Sequence, residues 1–227
     1  MANIHFIGGE KGGVGKSLTA RLLAQYCIDR QLPFTAFDTD RSHGALLRFY
    51  ADYTAPVAMD RTEALDAIVE AVVEQPERRV LVDLAAQTHE TLAQWMEEAS
   101  LLAIAADEGI ELHYWHVMDA GKDSADLLGK LLDRFGDGLR YVLVRNQVRG
   151  TDFAALEQSG QQQRAQGLGA RVVQLKKLSE SALLKIDGTS SSFWKATVSG
   201  GGLGLLERQR VKTWLADSYR ELDALGL

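Results

Sequence analysis

A chain of 227 residues, 46% hydrophobic and 25% charged, has the make-up of one soluble globular domain with a large core, and its apolar runs all fall short of a membrane span. The formal net charge of −6 gives no general attraction for nucleic acid or for an anionic membrane. The lone Cys27 can form neither an internal disulfide nor a cysteine-based metal or iron–sulfur site and reads as a small buried hydrophobe, while Met1 to Gly9 lacks the basic start and cleavage signal of a secretory leader, so the expected compartment is the cytoplasm.

In chain order, Asn3 to Gly8 reads as a short buried strand and Lys16 to Arg30 as a helix, with Leu18, Leu22, Leu23, Tyr26 and Cys27 at helical spacing. Pro33 to Phe37 predicts a second strand, ending in Asp38-Thr39-Asp40, and Arg79 to Leu84 a third, running into Asp83-Leu84-Ala85-Ala86-Gln87. Leu101 to Ala105 and Tyr141 to Val144 supply two more, and Arg171 to Leu175 a sixth. Helical patterns are expected over Ala45 to Ala51, Arg61 to Glu74, His89 to Glu98, Leu112 to Phe135 and Thr151 to Gln166. This alternation predicts an α/β fold over 1–227: a single-domain, doubly wound, mostly parallel sheet with helices on both faces. The Ser- and Gly-rich stretch Asp187 to Gly204, carrying Trp194, reads as a plain connection or as a loop over a ligand or subunit interface. Leu205 to Leu225 is an amphipathic helix whose Glu207, Asp217, Glu221 and Asp223 argue for docking on the sheet and against a membrane surface, which favours a basic polar face.

The segment between the first strand and the first helix carries the chemistry. Gly12, Gly13 and Gly15, with Val14 among them, let the backbone approach a ligand so that successive N–H groups converge on phosphate oxygens. The helix opening at Lys16 puts the positive end of its dipole under the same phosphates. Lys16 would neutralise the β and γ phosphates, and the Ser17 hydroxyl would ligate Mg²⁺. The usual spacing G-x-x-x-x-G-K-[ST] wants glycine at position 10, where this chain has Glu10, followed by a second lysine, Lys11.

The string Lys11-Gly12-Gly13-Val14-Gly15-Lys16-Ser17 resembles the deviant Walker A motif of the ParA/MinD superfamily of ATPases. The resemblance implies a P-loop NTPase fold, ATP and Mg²⁺ as cofactors, and a homodimer sandwiching ATP, in which Lys11 reaches the phosphates of the partner. It also implies that Asp38 and Asp40 are the D-x-D of switch I, with Asp40 orienting the attacking water, so that Lys11, Lys16 and Asp40 form the catalytic set. Asp83 looks like the Walker B aspartate, which makes Ser17, Asp38 and Asp83 the metal set. Nucleotide would rest on Gly12, Gly13, Val14, Gly15, Lys16, Ser17 and Leu18, and Asn146 resembles the asparagine that reads the adenine amino group. Three places depart from the pattern: Leu18 where many relatives have Thr, Arg41-Ser42 where proline and glutamine are common, and Gln87 where a glycine N–H touches the γ-phosphate. Gln87 is expected to offer only its N–H or to tune the switch for slow turnover, with a water-positioning amide as the alternative.

The loop, the Asp38-Thr39-Asp40 turn and the final helix beginning Glu207-Arg208-Gln209-Arg210-Val211-Lys212 look like the TraL and MobD type proteins of plasmid transfer and mobilisation. The expectation is a slowly hydrolysing ATP-driven dimer switch in transfer, mobilisation or partition, with a protein partner that stimulates hydrolysis. Two rivals stand beside it: a nucleotide-binding module without turnover, and a dethiobiotin-synthetase-like ligase, whose loops typically lack the first lysine. The single cysteine argues against nitrogenase iron protein, iron–sulfur carriers and arsenite pump ATPases. From Gly138 to Leu178, Arg140, Arg145, Arg149, Arg164, Arg171, Lys176 and Lys177 face only Asp152 and Glu157, which makes this stretch a candidate DNA-contacting face or, more plainly, solvated surface.

Overall fold

The computed structural model describes residues 2–9, 11–42 and 44–227; Glu10, the departure from the usual loop pattern, lies outside the described residues, as do Met1 and His43. The chain runs β1 (Asn3–Gly8), α1 (Lys16–Asp29), β2 (Phe34–Asp38), α2 (Ala45–Phe49), β3 (Thr54–Pro56), α3 (Thr62–Glu74), β4 (Arg79–Asp83), α4 (His89–Glu98), α5 (Leu101–Glu108), β5 (Glu111–Met118), α6 (Lys122–Phe135), β6 (Arg140–Asn146), α7 (Ala154–Gln158), α8 (Gln161–Gly167), β7 (Arg171–Leu175), α9 (Glu180–Gly188), α10 (Phe193–Thr197) and α11 (Leu205–Asp223). The strands form one parallel seven-stranded sheet in the order β3-β2-β4-β1-β5-β6-β7. From β1 the chain moves outward to β2 and β3, returns to β4 beside β1, and crosses to β5 on the other side. In open parallel sheets this reversal leaves a crevice at the strands' carboxyl ends, and the Gly8–Ser17 loop leaves β1 there.

Strand residues alternate between two separate apolar layers. Ile4, Phe6, Val80, Val82, Leu112, Tyr114, Tyr141 and Leu143 pack with buried residues of α3 to α8. Ile7, Leu81, Trp115, Val117, Val142, Val144, Val173 and Leu175 pack with α1, α2 and α9 to α11. The doubly wound α/β expectation is thus met. Cys27 is buried in the second layer, and burial pushes its thiol up to about 12.

The middle of the chain departs from expectation. Leu101 to Ala105, expected as a strand, is the start of helix α5, with Leu101 and Ala105 buried four residues apart and Ile104 turned outward. The expected helix from Leu112 splits into strand β5 and helix α6, and the expected helix Thr151 to Gln166 is two short helices broken by Ser159-Gly160. Strand β3 and helices α9 and α10 had no counterpart in the reading; α10 starts where the Ser192 hydroxyl accepts the Lys195 N–H, inside the stretch read as a loop.

Helix α11 lies along β7, which is hydrogen-bonded to a neighbouring strand only through β6. Val211, Trp214, Leu215 and Leu222 are buried, the Trp214 indole N–H donates to the Lys176 carbonyl (2.7 Å), and a Glu221 carboxylate oxygen accepts the Gln174 N–H (2.9 Å). That last bond covers part of the free edge of the sheet. Among the described residues no helix is long and apolar enough to cross a membrane.

Candidate functional site

The loop after β1 is built so that only glycine serves at its end. Gly15 has φ +102°, and a Cβ there would stand 2.1 Å from the Asn146 amide nitrogen. The first turn of α1 has no acidic side chain and no side-chain cap, so its N–H groups face the crevice without a protein carboxylate to neutralise them. Lys16 is buried and donates from Nζ to the Lys11 carbonyl (3.2 Å), which folds it back over the loop; Thr19 ties the loop from below by donating its hydroxyl to the Gly15 carbonyl (2.9 Å). The uncapped helix start and the folded-back ammonium together make this end of α1 electropositive.

Parallel pairing of β2 with β4 sets Asp38 directly beside Asp83 at the end of both strands. Thr39 fastens the two ends, its hydroxyl donating to the Asp83 carbonyl (3.1 Å) and accepting the Ala85 N–H (2.8 Å). Asp83 is 1% exposed, and neither of its carboxylate oxygens has a hydrogen-bond partner. Burial, and then the charge of Asp38, push its carboxyl up to about 8, against the pull of the Ser17 hydroxyl and the Lys16 ammonium. An orphaned buried carboxylate beside a serine hydroxyl suits a hard divalent cation. Among the described residues no cluster of three or more His, Cys, Asp or Glu could cage a metal alone, and Mg²⁺ is the cation that keeps waters and substrate phosphates in its shell. Asp38, expected in the metal set, has its oxygens turned to backbone: one accepts the Asp40 N–H (3.0 Å) and the other the Leu47 N–H (3.0 Å), which fixes the turn into α2. Asp40 in turn accepts the Ser42 N–H (2.9 Å).

A third carboxylate, absent from the sequence reading, stands at the end of β5. Asp119, 3% exposed, accepts the Gly121 N–H (3.1 Å) and the Ser124 hydroxyl (3.0 Å) on one oxygen. Its other oxygen meets Arg149 Nη1 at 2.9 Å and Lys11 Nζ at 3.3 Å. Burial works against the charge, yet the Gly121 amide, the Ser124 hydroxyl and Lys11 together hold the Asp119 carboxyl below its ordinary value. Lys11 also lies 3.9 Å from Asp123, and Arg149 Nη2 approaches the Gly12 carbonyl at 3.5 Å. The misplaced helix over 112–135 hid this residue; an Asp-Ala-Gly break after an aromatic-rich run was the available signal.

Asn146, expected to meet adenine, is buried with its amide engaged: Nδ2 donates to the Val14 carbonyl (2.7 Å) and Oδ1 accepts the Val148 N–H (3.2 Å). It fastens β6 to the loop. Leu18 lines a cavity of about 290 Å³ whose wall is part apolar (Ala45, Phe49, Leu183) and part polar (Ser17, Arg21, Arg48, Asp187). A larger cavity of about 650 Å³ opens at the far end of the sheet between Cys27, Pro33, Asp52, Tyr53 and Arg78; it contains none of the loop residues. Gln87 is exposed at φ +62°, a left-handed backbone conformation that glycine adopts more readily than glutamine. The basic stretch 138–178 is not a free cationic face: Arg140, Arg145, Arg149, Arg164, Lys176 and Lys177 each pair with a carboxylate, and Arg171 donates to the Ala224 carbonyl.

No family model matches the chain. In sequence it is similar to Protein MobD of Acidithiobacillus ferrooxidans, 26% identical over 146 residues (63% of this chain and 63% of MobD), and to Protein TraL of Escherichia coli, 28% identical over 158 residues (66% of this chain and 65% of TraL). The match spans just under two thirds of the length of these curated relatives. In fold it is similar to the MinD cell division protein of Aquifex aeolicus, with a TM-score of 0.58 at 15% identity over 98% of this chain and 97% of that one. A ParA family ATPase from Chlorobium tepidum TLS gives 0.53 at 13% identity over 95% and 99% of the two chains, and a nucleotide-binding protein in complex with ADP from Archaeoglobus fulgidus gives 0.54 at 15% over 83% and 86%. At these identities the likeness establishes the fold. The chain therefore has the fold of the MinD and ParA family structures and is similar in sequence to MobD and TraL.

Proposed function

We propose that this protein binds Mg²⁺ATP and works as an ATP-driven dimer switch that hydrolyses its nucleotide slowly. The observation that carries the reading is Asp83, a buried carboxylate with no hydrogen-bond partner, set beside Lys16, Ser17 and the uncapped start of α1. The loop N–H groups of Gly12, Gly13, Val14 and Gly15 and the Lys16 ammonium would hold the β and γ phosphates, with Leu18 beside the α-phosphate. Bound Mg²⁺ would supply neutralisation of the triphosphate charge, held by Ser17 and, through water, by Asp83. Asp38 would order the switch turn through its two backbone hydrogen bonds, and Asp40 on that turn would orient the attacking water. Lys11 would reach the phosphates of a second copy, so that nucleotide binding and dimerisation become one event. The setting proposed is plasmid transfer or mobilisation, that of the TraL and MobD type, with a protein partner that stimulates hydrolysis.

Titration calorimetry with ATP tests the site. Affinity is expected to rise with Mg²⁺, Lys16→Ala to abolish binding, and Asp83→Asn to remove at least about tenfold of the Mg²⁺-dependent gain, about 1.4 kcal/mol. Equal affinity with and without Mg²⁺ would overturn the metal assignment. Light scattering with ATP tests the dimer, with Lys11→Ala expected to remain monomeric. A binding module without turnover is the second reading, favoured by Gln87, whose side chain stands where a glycine is usual. Phosphate release no faster than that of Asp40→Ala would decide for it.

A further inference from the structure

We infer that Asp119 is a positioning residue that holds Lys11 on its own subunit, and that Arg149, bound to the same carboxylate oxygen, is what allows Lys11 to leave. The inference rests on the dimer reading above, since it concerns how Lys11 becomes available to a second copy. Two cations converge on one oxygen of a nearly buried carboxylate: Arg149 Nη1 at 2.9 Å and Lys11 Nζ at 3.3 Å, with the Asp119 side chain 2% exposed. The other oxygen is already satisfied by Gly121 and Ser124.

A buried carboxylate stripped of its only cation is strongly disfavoured, because charge without a partner has lost its hydration. If Lys11 were alone on Asp119, its departure would leave that situation behind. With Arg149 in place at the shorter distance, Asp119 stays paired when Lys11 goes. Lys11, a flexible chain with its side chain one-third exposed, is the exchangeable cation; the planar guanidinium, anchored also toward the Gly12 carbonyl, is the resident one. Asp123, 3.9 Å from Lys11 and 77% exposed, adds a weaker and screened attraction. The contact with Asp119 therefore opposes dimerisation, and the contact with Arg149 limits that opposition.

The two partners predict opposite signs. Asp119→Asn keeps the size and the acceptor oxygen for Gly121 and Ser124 but removes the charge, so the ATP concentration for half-maximal dimerisation should fall about three- to tenfold. Arg149→Met leaves Lys11 as the sole cation on Asp119, and the same concentration should rise by about the same factor. Mass photometry across an ATP titration gives the midpoints. The ATP affinity of the dilute monomer, measured on the same variants, separates a change in nucleotide binding from a change in dimerisation. General damage to the crevice would weaken dimerisation in both variants, so opposite shifts are the signature of the exchange. Shifts of the same sign, or both within about twofold of the parent, would overturn it. A parent that stays monomeric at saturating Mg²⁺ATP would overturn the dimer reading itself, a separate result.

Discussion

Asn146 is where base recognition and loop support part company. Its amide joins the Val14 carbonyl to the Val148 N–H in a buried place, so removing it strands two backbone groups next to the phosphate cradle. Asn146→Ala is expected to lower the stability of the nucleotide-free protein by about 1–3 kcal/mol, measured by urea unfolding. A residue that only read adenine would leave that value unchanged and alter the preference between ATP and GTP. The loop residues themselves were legible in sequence because glycine spacing, lysine and serine must be contiguous to surround a phosphate. Asp83 was legible for a similar reason, as a lone acid closing an apolar strand. Thr39, Asp119 and Arg149 were not, since each acts through a contact between elements remote in sequence, and no local pattern records which strand ends meet. Gln87 falls between: its identity was seen as a departure, while its left-handed backbone came only from the structure.

At the scale of elements, α11 shows how much rests on one face of one helix. Trp214 is 5% exposed, its ring lies 5.4 Å from that of Phe193, and its indole N–H closes the end of β7 through the Lys176 carbonyl. Further along, Asp223 accepts from the Tyr26 hydroxyl and pairs with Arg30, tying α11 to the end of α1. Trp214→Ala is expected to cost about 3–5 kcal/mol in urea unfolding, from lost burial and the cavity left behind. A loss below about 1 kcal/mol would mean that α11 adds little to the second apolar layer. This helix was legible because its apolar positions recur at 3.6-residue spacing over five turns. The run Leu101-Leu102-Ala103-Ile104-Ala105 was too short for its period to be read, and its wholly apolar sequence fits either a strand or a helix. The error then propagated: with a strand placed there, the true strand β5 was absorbed into the helix that follows it. Its His113 and His116 interrupt the apolar pattern of that strand, and His116 is nonetheless buried.

Those histidines, with His5, set how the whole molecule responds to acid. His5 accepts the Trp115 indole N–H on Nδ1 (3.1 Å), which requires an unprotonated nitrogen there, and its ring stacks on His113 at 4.6 Å. Burial, then His113 and Arg79, hold His5 well below its ordinary value. Burial also lowers His113, with Glu111 opposing and Arg140 adding to the shift, and it lowers His116 to about 4 although the Ser124 carbonyl favours the charged ring. In the unfolded chain all three would titrate near 6.5. Below that value the unfolded state therefore binds more protons than the folded one, and stability falls as pH falls. Asp83 runs the other way, since the folded state keeps its proton up to about 8 and so offsets one histidine across this window. The net expectation between pH 6.5 and 5 is a loss of about 1–3 kcal/mol per pH unit, at about 1.4 kcal/mol for each proton taken up on unfolding. Urea unfolding of the nucleotide-free protein across that range measures the slope. His116→Gln, which keeps an amide donor for the Ser124 carbonyl, should reduce it by about one proton, whereas stability that stayed flat from pH 6.5 to 5 would show that the buried histidines already carry protons in the folded state.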